Sequence, residues 1–496
     1  MAEFLAEGQL SRPLMNECLH AYWQHFNSQM PILHTPTFDA NSCPALLLVA
    51  LVMLGASHLE TNLKFGRAHF LGWHLRREIF SHPDFERPVK LWALQTMVLL
   101  EWFETMCSTR RLHNRAALHH NTTVSPILTS FWNSGYSLDM TTMDDINTDN
   151  PLWRQWIWPE AIRRTASLAL ALDAIQSIMF GYRQGINLRE INLTLPCNEA
   201  LWNATSADEL ETIMKDPQTD TTAITLKQGL CELYNEGQTK SSPLGLTVLM
   251  AGLTSMVCNF NRVEQPLSQM GRQQNMGDQL KAVLHHLEIS KQDGTINWPK
   301  ENLRYVTSMA AYVDFNNCQV LAYEHKDYGP IHVSMKTWAR SVDAQWAVFY
   351  AFRFLYQALP NVPELDGVAY PTHCLVSGSW VLYIAALIVW SYCYSYHGGT
   401  ASFRMTLEDL QVVLQQMRSI EYQYPVKLVE RVDCNVCLGL LIAVKNIIQQ
   451  GTWELLGEAS KVLGRCIMSI QPKAELSARN GGYQEGQRIL NFGYSC

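Results

Sequence analysis

The sequence predicts an all-α protein, one large domain of many packed helices. Three observations predict it. Apolar residues recur at steps of three and four, the period of a helix face packed on a core. Strand signals are weak: alternation over more than five residues is rare, and no Asn-Gly dipeptide stands between apolar runs. Of the 496 residues, 47% are hydrophobic and only 17% charged, against about 25% charged in a typical globular chain, so a large core can be buried.

The helical segments follow in chain order. Leu91, Leu94, Val98 and Trp102 repeat at helical spacing, with Gln95, Glu101 and Glu104 among the polar positions between them. Glu160 to Phe180 reads as a helix with Pro159 in its first turn and Gly181 at its end. Its middle, SLALALDAI, is apolar almost all round and is expected to be buried. Trp380 to Trp390 is an apolar run of 11 residues, in a stretch without Asp, Glu, Lys or Arg between Asp366 and Arg404. A membrane span needs about 20 apolar residues, so this run is expected to be a core helix. Thr406 with Asp409 caps a helix carrying Leu407, Leu410, Leu414 and Met417. Trp453 to Ile467 turns Leu456, Ala459, Leu463 and Ile467 inward and Glu454, Glu458 and Lys461 outward. Polar stretches predict loops at 133–152, 203–225, 264–278 and 289–300, and no fixed-period repeat stands out.

Charge excludes a stand-alone binder of duplex DNA, which works by Lys and Arg neutralising phosphates. The net charge is −7, and no run of five basic residues occurs. Residues 1–60 hold Arg12 against Glu3, Glu7, Glu17, Asp39 and Glu60. Arg76-Arg77, Arg110-Arg111 and Arg163-Arg164 read as solvated or ion-paired helix faces. The 13 cysteines are odd in number and scattered, which fits free thiols in a reducing compartment. Met1 to Leu10 contains Glu3 and Glu7 and no long apolar stretch, so no signal peptide is expected, and the sequons at Asn121, Asn192 and Asn203 are expected to be idle.

Motifs of chemistry are missing or incomplete. Cys434-x-x-Cys437 is half a zinc spacing, but no His follows His397 and Cys466 stands alone; two core thiols are expected. There is no GxGxxG, GxxxxGK[ST], HExxH or GxSxG. His113, His119 and His120 lack a carboxylate or Cys nearby in sequence, and His285 and His286 point to different faces of a helix. All five are expected to be structural. A terpene cyclase would hold magnesium between two acidic boxes. Asp144-Asp145 with Asp149 is one residue too long for the first box, and Asn316-Asn317 to Glu324 has Val320 where a hydroxyl is needed.

Five segments resemble the fungal-specific transcription factor domain, or middle homology region, of the subgroup that follows two-Cys/two-His zinc fingers. They are YWQHFNSQMPILHTPTF (22–38), the central pair from Leu94 to His120, RRTASLALALDAIQSIMFG with LTLPCNEALWNA (163–204), the helix from Trp380 to Tyr394, and the closing helix with Trp453, Glu454, Glu458 and Ala459. Their order covers about residues 15 to 470. Pro31 is expected to break a helix before Ile32 and Phe38 enter the core, and Trp202 to be a buried anchor. The resemblance implies an acidic leader at 1–14, the regulatory domain at 15–480 and a tail at 481–496. It implies a nuclear, non-enzymatic regulator of RNA polymerase II transcription. Its partners would be other transcription proteins or a second copy as a dimer, with no membrane and no cofactor. Zinc belongs to upstream fingers absent from this chain, so DNA is reached through a missing or partner DNA-binding domain. A finger-less protein that modulates a full-length regulator by dimerisation is the alternative, and a terpene cyclase-like enzyme the second. In the family the stretch with Arg110, Arg111, His113 and Arg115 joins two central helices; these four are the expected regulatory surface.

Overall fold

A computed structural model describes residues 11–59, 62–86, 89–133, 151–216, 223–237, 239–267, 274–289, 298–323, 329–359, 378–398, 432, 434–451 and 453–470. Among them no sheet occurs, and β pairing is limited to an isolated bridge between Thr194 and Thr225. The protein is all-α.

The first half runs α1 (Arg12–Ala21), a π-helical turn (Tyr22–Asn27), α2 (Ala45–Ala56), α3 (Asn62–Phe80), α4 (Leu91–Met106), α5 (Arg110–His119), a second π-helical turn (His120–Val124), α6 (Ser125–Asn133) and α7 (Pro151–Phe180). After α8 (Glu199–Trp202), α9 (Ala207–Lys215) and α10 (Leu226–Glu236) come α11 (Pro243–Leu267), α12 (Gln274–Ile289) and α13 (Trp298–Ala310). The last elements are α14 (Phe315–Tyr323), α15 (Pro330–Ala339), α16 (Val342–Ala358), α17 (Gly378–His397), α18 (Cys434–Gln450) and α19 (Glu454–Ile470). One apolar cluster joins Cys18 at one end to Ile470 at the other. A smaller one gathers Leu91, Trp153, Ile157, Trp158, Leu201, Trp202 and Leu210.

Three helices form the inner layer. α4 is buried at every position, and it packs on α2, α3, α5 and α7. α7 lies against α11 and α4. α17 is enclosed by α14, α15, α16, α18 and α19. Among the described residues two helical stretches, Pro243–Arg262 and Gly378–His397, are long and apolar enough to cross a bilayer, but both are mostly buried. The apolar run at Trp380 is thus the middle of a 20-residue core helix. Such all-round apolarity marks a helix with protein on every side.

Three sequence expectations change. α7 starts at Pro151, so Pro159 sits inside it rather than in its first turn. Trp153, Ile157 and Trp158 are buried in the smaller cluster, and that burial outweighs the backbone bond proline removes. Residues 203–225 are not all loop. Ser206 Oγ accepts the Glu209 amide at 3.2 Å while the Glu209 carboxylate accepts the Thr205 amide at 2.8 Å, and α9 follows. The loops expected at 264–278 and 289–300 are shorter, because α11 reaches Leu267, α12 starts at Gln274 and α13 at Trp298. Gln95, Glu101 and Glu104, the polar positions of α4, are all buried.

Other expectations hold. Ile32 is buried and Phe38 half-buried, with the Phe38 ring edge-on to Trp23 at 5.0 Å. Trp202 is among the largest fully buried side chains. Cys434 and Cys437 are buried thiols in α18. The helix expected at Leu407 to Met417, Asp144, Asp145 and Asp149, most of the leader and the tail at 481–496 lie outside the described residues.

Candidate interaction surface

Thr109 caps α5 by accepting the Leu112 amide, and the helix deals its basic residues to different environments. Arg110 reaches across the molecule to Glu458 of α19, with Nη2 at 2.5 Å and Nε at 3.1 Å from the same carboxylate oxygen. Arg111 is exposed, and its guanidinium lies 4.4 Å from the centre of the Trp73 ring of α3. Arg115 lies 5.0 Å over the same ring, donates to the Gly72 carbonyl at 3.3 Å and pairs with buried Glu104. His113 is not on the surface. It is fully buried, with Nδ1 2.8 Å from the Thr105 carbonyl and its ring edge-on to Phe180 at 4.5 Å. Burial, then Arg110, lowers it to about 3, so the imidazole is neutral at physiological pH. Of the four expected residues, Arg111 and Arg115 thus share one surface with Trp73, Arg110 is turned to α19, and His113 is buried.

Beneath that surface lies an ionic network that sequence reading missed. Arg76 of α3 donates to Glu104 at 2.7 Å and stands 3.7 Å from Glu101. His120, at the first π-helical position after α5, has Nδ1 2.9 Å from Glu101 and Nε2 3.3 Å from Asp173 of α7. His120, Glu101, Glu104 and Asp173 are essentially unexposed. The carboxylate expected to be missing near His120 comes from residues 19 and 53 positions away along the chain. Burial alone would lower the His120 pKa; hydrogen bonds to Asp173 and Glu101 outweigh it and push it up to about 10. The ring is therefore an imidazolium. Burial also raises the Glu104 pKa, against the pull of Arg76 and Arg115. Asp173 further accepts the Gly185 and Ile186 amides at 2.8 and 3.3 Å, which ties the segment after α7 to the network. A cue was present: Glu101 and Asp173 stand in almost wholly apolar runs, and buried charge survives only when paired.

A second buried node explains the 163–204 segment. Arg164 Nε donates to Glu160 at 2.8 Å, Nη2 to the Cys197 carbonyl at 3.0 Å, and its guanidinium lies 4.5 Å from the centre of the Trp202 ring. Glu160 also accepts the Cys197 amide and Arg163. The node fixes α8 against α7. His285 and His286 do not converge: His285 meets Trp346 edge-on, whereas His286 lies beside Gly237. Among the described residues no group of three His, Cys, Asp or Glu is placed to hold a metal ion.

Comparison with known proteins gives one family match, described as the fungal specific transcription factor domain, over residues 19–302. Zinc finger protein klf1 of Schizosaccharomyces pombe is 25% identical over 92% of this chain and 61% of its own length. Zinc finger protein zas1 of the same yeast is 23% identical over 90% of this chain and 52% of its own. A nicotinate catabolism cluster-specific transcription factor of Emericella nidulans is 28% identical over 38% of this chain and 22% of its own length. The chain thus spans between about half and three fifths of the length of the two relatives that it matches almost throughout. No solved structure matches.

Proposed function

Because this chain belongs to the fungal specific transcription factor domain family, we propose that it is the regulatory part of a fungal transcription factor, acting on RNA polymerase II transcription in the nucleus. The match over residues 19–302 carries this reading. Relatives named as zinc finger proteins and as a transcription factor support it. The product of such a module is a contact, with no bond made or broken. Its partners are other transcription proteins or a second copy of the chain, and DNA is reached through a separate DNA-binding domain. Zinc belongs to that domain, and this part needs no cofactor.

The disposition of the arginines supports this division of labour. Arg76 and Arg164 are engaged with Glu101, Glu104 and Glu160 inside the molecule, and Arg110 and Arg163 are ion-paired with Glu458 and Glu160 nearer the surface. A surface that neutralises phosphates needs many free cations. Neither alternative function is favoured by the comparisons. The test is to tether the chain to a heterologous DNA-binding domain upstream of a reporter in a fungal cell. A change in transcript level relative to the DNA-binding domain alone is expected. No change at matched protein abundance, alone or beside a finger-bearing partner, would refute the reading.

A further inference from the structure

The outer face of α3 is unusual for a helix packed on a core. Phe70, Trp73, Arg77 and Phe80 lie three, four and three residues apart, one helical stripe, and all four are exposed. Phe70, Trp73 and Phe80 keep 37–38% of their surface in solvent, and Leu118 of α5 keeps 70%. Among the described residues every exposed Phe or Trp lies on this face. α5 closes it: Arg111 and Arg115 lie over Trp73, and the His119 ring meets Phe80 at 5.4 Å. Large apolar groups concentrated on one surface mark an interaction site. Trp and Arg are the residue types that dominate binding energy at such sites.

The charges say what kind of partner fits. Arg111 makes no ion pair among the described residues, and its guanidinium is held over the Trp73 ring. A guanidinium so held presents a planar fork of donors matched to a carboxylate. Among the described residues Arg77 is paired only with its neighbour Glu78, in a solvent-exposed contact of the kind that contributes little. The rings of Phe70 and Phe80 and the Leu118 side chain offer apolar contacts beside these cations.

We propose that the α3/α5 face docks an acidic, amphipathic peptide segment of another transcription protein. Its carboxylates engage Arg111 and Arg77, and its apolar side chains cover Trp73, Phe70, Phe80 and Leu118. This names the partner chemistry of the regulatory reading above and rests on it. Arginine beside aromatic rings could also stack single-stranded bases. The peptide is favoured because, among the described residues, the face carries few cations and includes Glu78, whereas nucleic acid demands a track of positive charge.

The test is selection from a random-peptide display library on the intact chain, with counter-selection on the Trp73→Ala/Arg111→Glu double variant. Both positions are exposed, so the variant should keep the wild-type melting temperature and circular dichroism; Arg111→Ala serves if it does not. Expected are enriched peptides rich in Asp or Glu interspersed with Leu, Phe or Trp. The best of them should bind wild type at least about tenfold more tightly than the variant, and less tightly as salt rises. Failure to enrich over the variant, a basic or uncharged consensus, or displacement of the peptide by a single-stranded oligonucleotide would overturn the proposal. So would a dimer of the chain that the variant abolishes. None of these outcomes depends on the tethered reporter, so the regulatory reading stands or falls separately.

Discussion

Replacing His120 with leucine would leave Glu101 and Asp173 buried without the cation between them. Removing one partner of a buried charged pair costs about 3–5 kcal/mol, and that loss is expected in denaturant unfolding of His120→Leu. The pH dependence has a definite sign. The folded pKa of about 10 lies above the ordinary 6.5, so the stabilisation is complete below pH 6.5 and disappears as pH rises through about 10. Wild type should therefore lose more stability between pH 6.5 and 9.5 than His120→Gln, which cannot titrate there; equal slopes would contradict the assignment. Arg111→Ala is the opposite case. An exposed substitution away from buried networks changes stability by no more than about 0.5 kcal/mol, so its unfolding midpoint should match wild type. At this scale the sequence was least legible. The stretch from Arg110 to Arg115 stood out, but the burial of His113 and the pairing of His120 depend on α4 and α7, distant along the chain. Local spacing carries no information about such contacts.

Helix by helix, the close approach of α1 and α2 offers a sharp test. A Cβ built on Gly55 would lie 1.8 Å from the Cys18 carbonyl oxygen. Backbone cannot swing aside as a side-chain tip can, so Gly55→Ala must separate the two helices. A loss of about 1–3 kcal/mol is expected, read as a lower thermal midpoint, whereas Gly457→Ala, which meets nothing within 4 Å, should be neutral or mildly stabilising. Periodicity made α4, α7, α17 and α19 legible because each must present an apolar surface to its neighbours. The start of α7 and the whole of α9 were misread for different reasons. Proline is a local signal that tertiary burial overrode at Pro159. The Ser206–Glu209 capping pair, by contrast, was in the sequence and marks a helix with a single buried residue, Leu210.

For the molecule as a whole, one apolar cluster from Cys18 to Ile470 means that its layers stabilise one another. Cys107, Cys318 and Cys466 are fully buried thiols whose pKa burial raises, which makes them poor metal ligands and slow nucleophiles. Exhaustive chelation should therefore leave the melting temperature unchanged, and elemental analysis of the purified chain should find no stoichiometric zinc; a drop on chelation would show a structural ion. Fold class was legible at this scale because composition and period agreed over hundreds of residues. Family membership was legible because packing segments kept their order, three of them, 22–38, 94–120 and 163–204, within the matched residues 19–302, and the Arg164–Trp202 node gives one of these a physical explanation. The most direct measurement is transcript output from a reporter to which the chain is tethered, comparing wild type with Trp73→Ala/Arg111→Glu at equal abundance. The account predicts that wild type shifts output and that the double variant returns it toward the level of the DNA-binding domain alone. Identical output from the two would contradict the claim that this protein regulates by the contact its α3/α5 face makes.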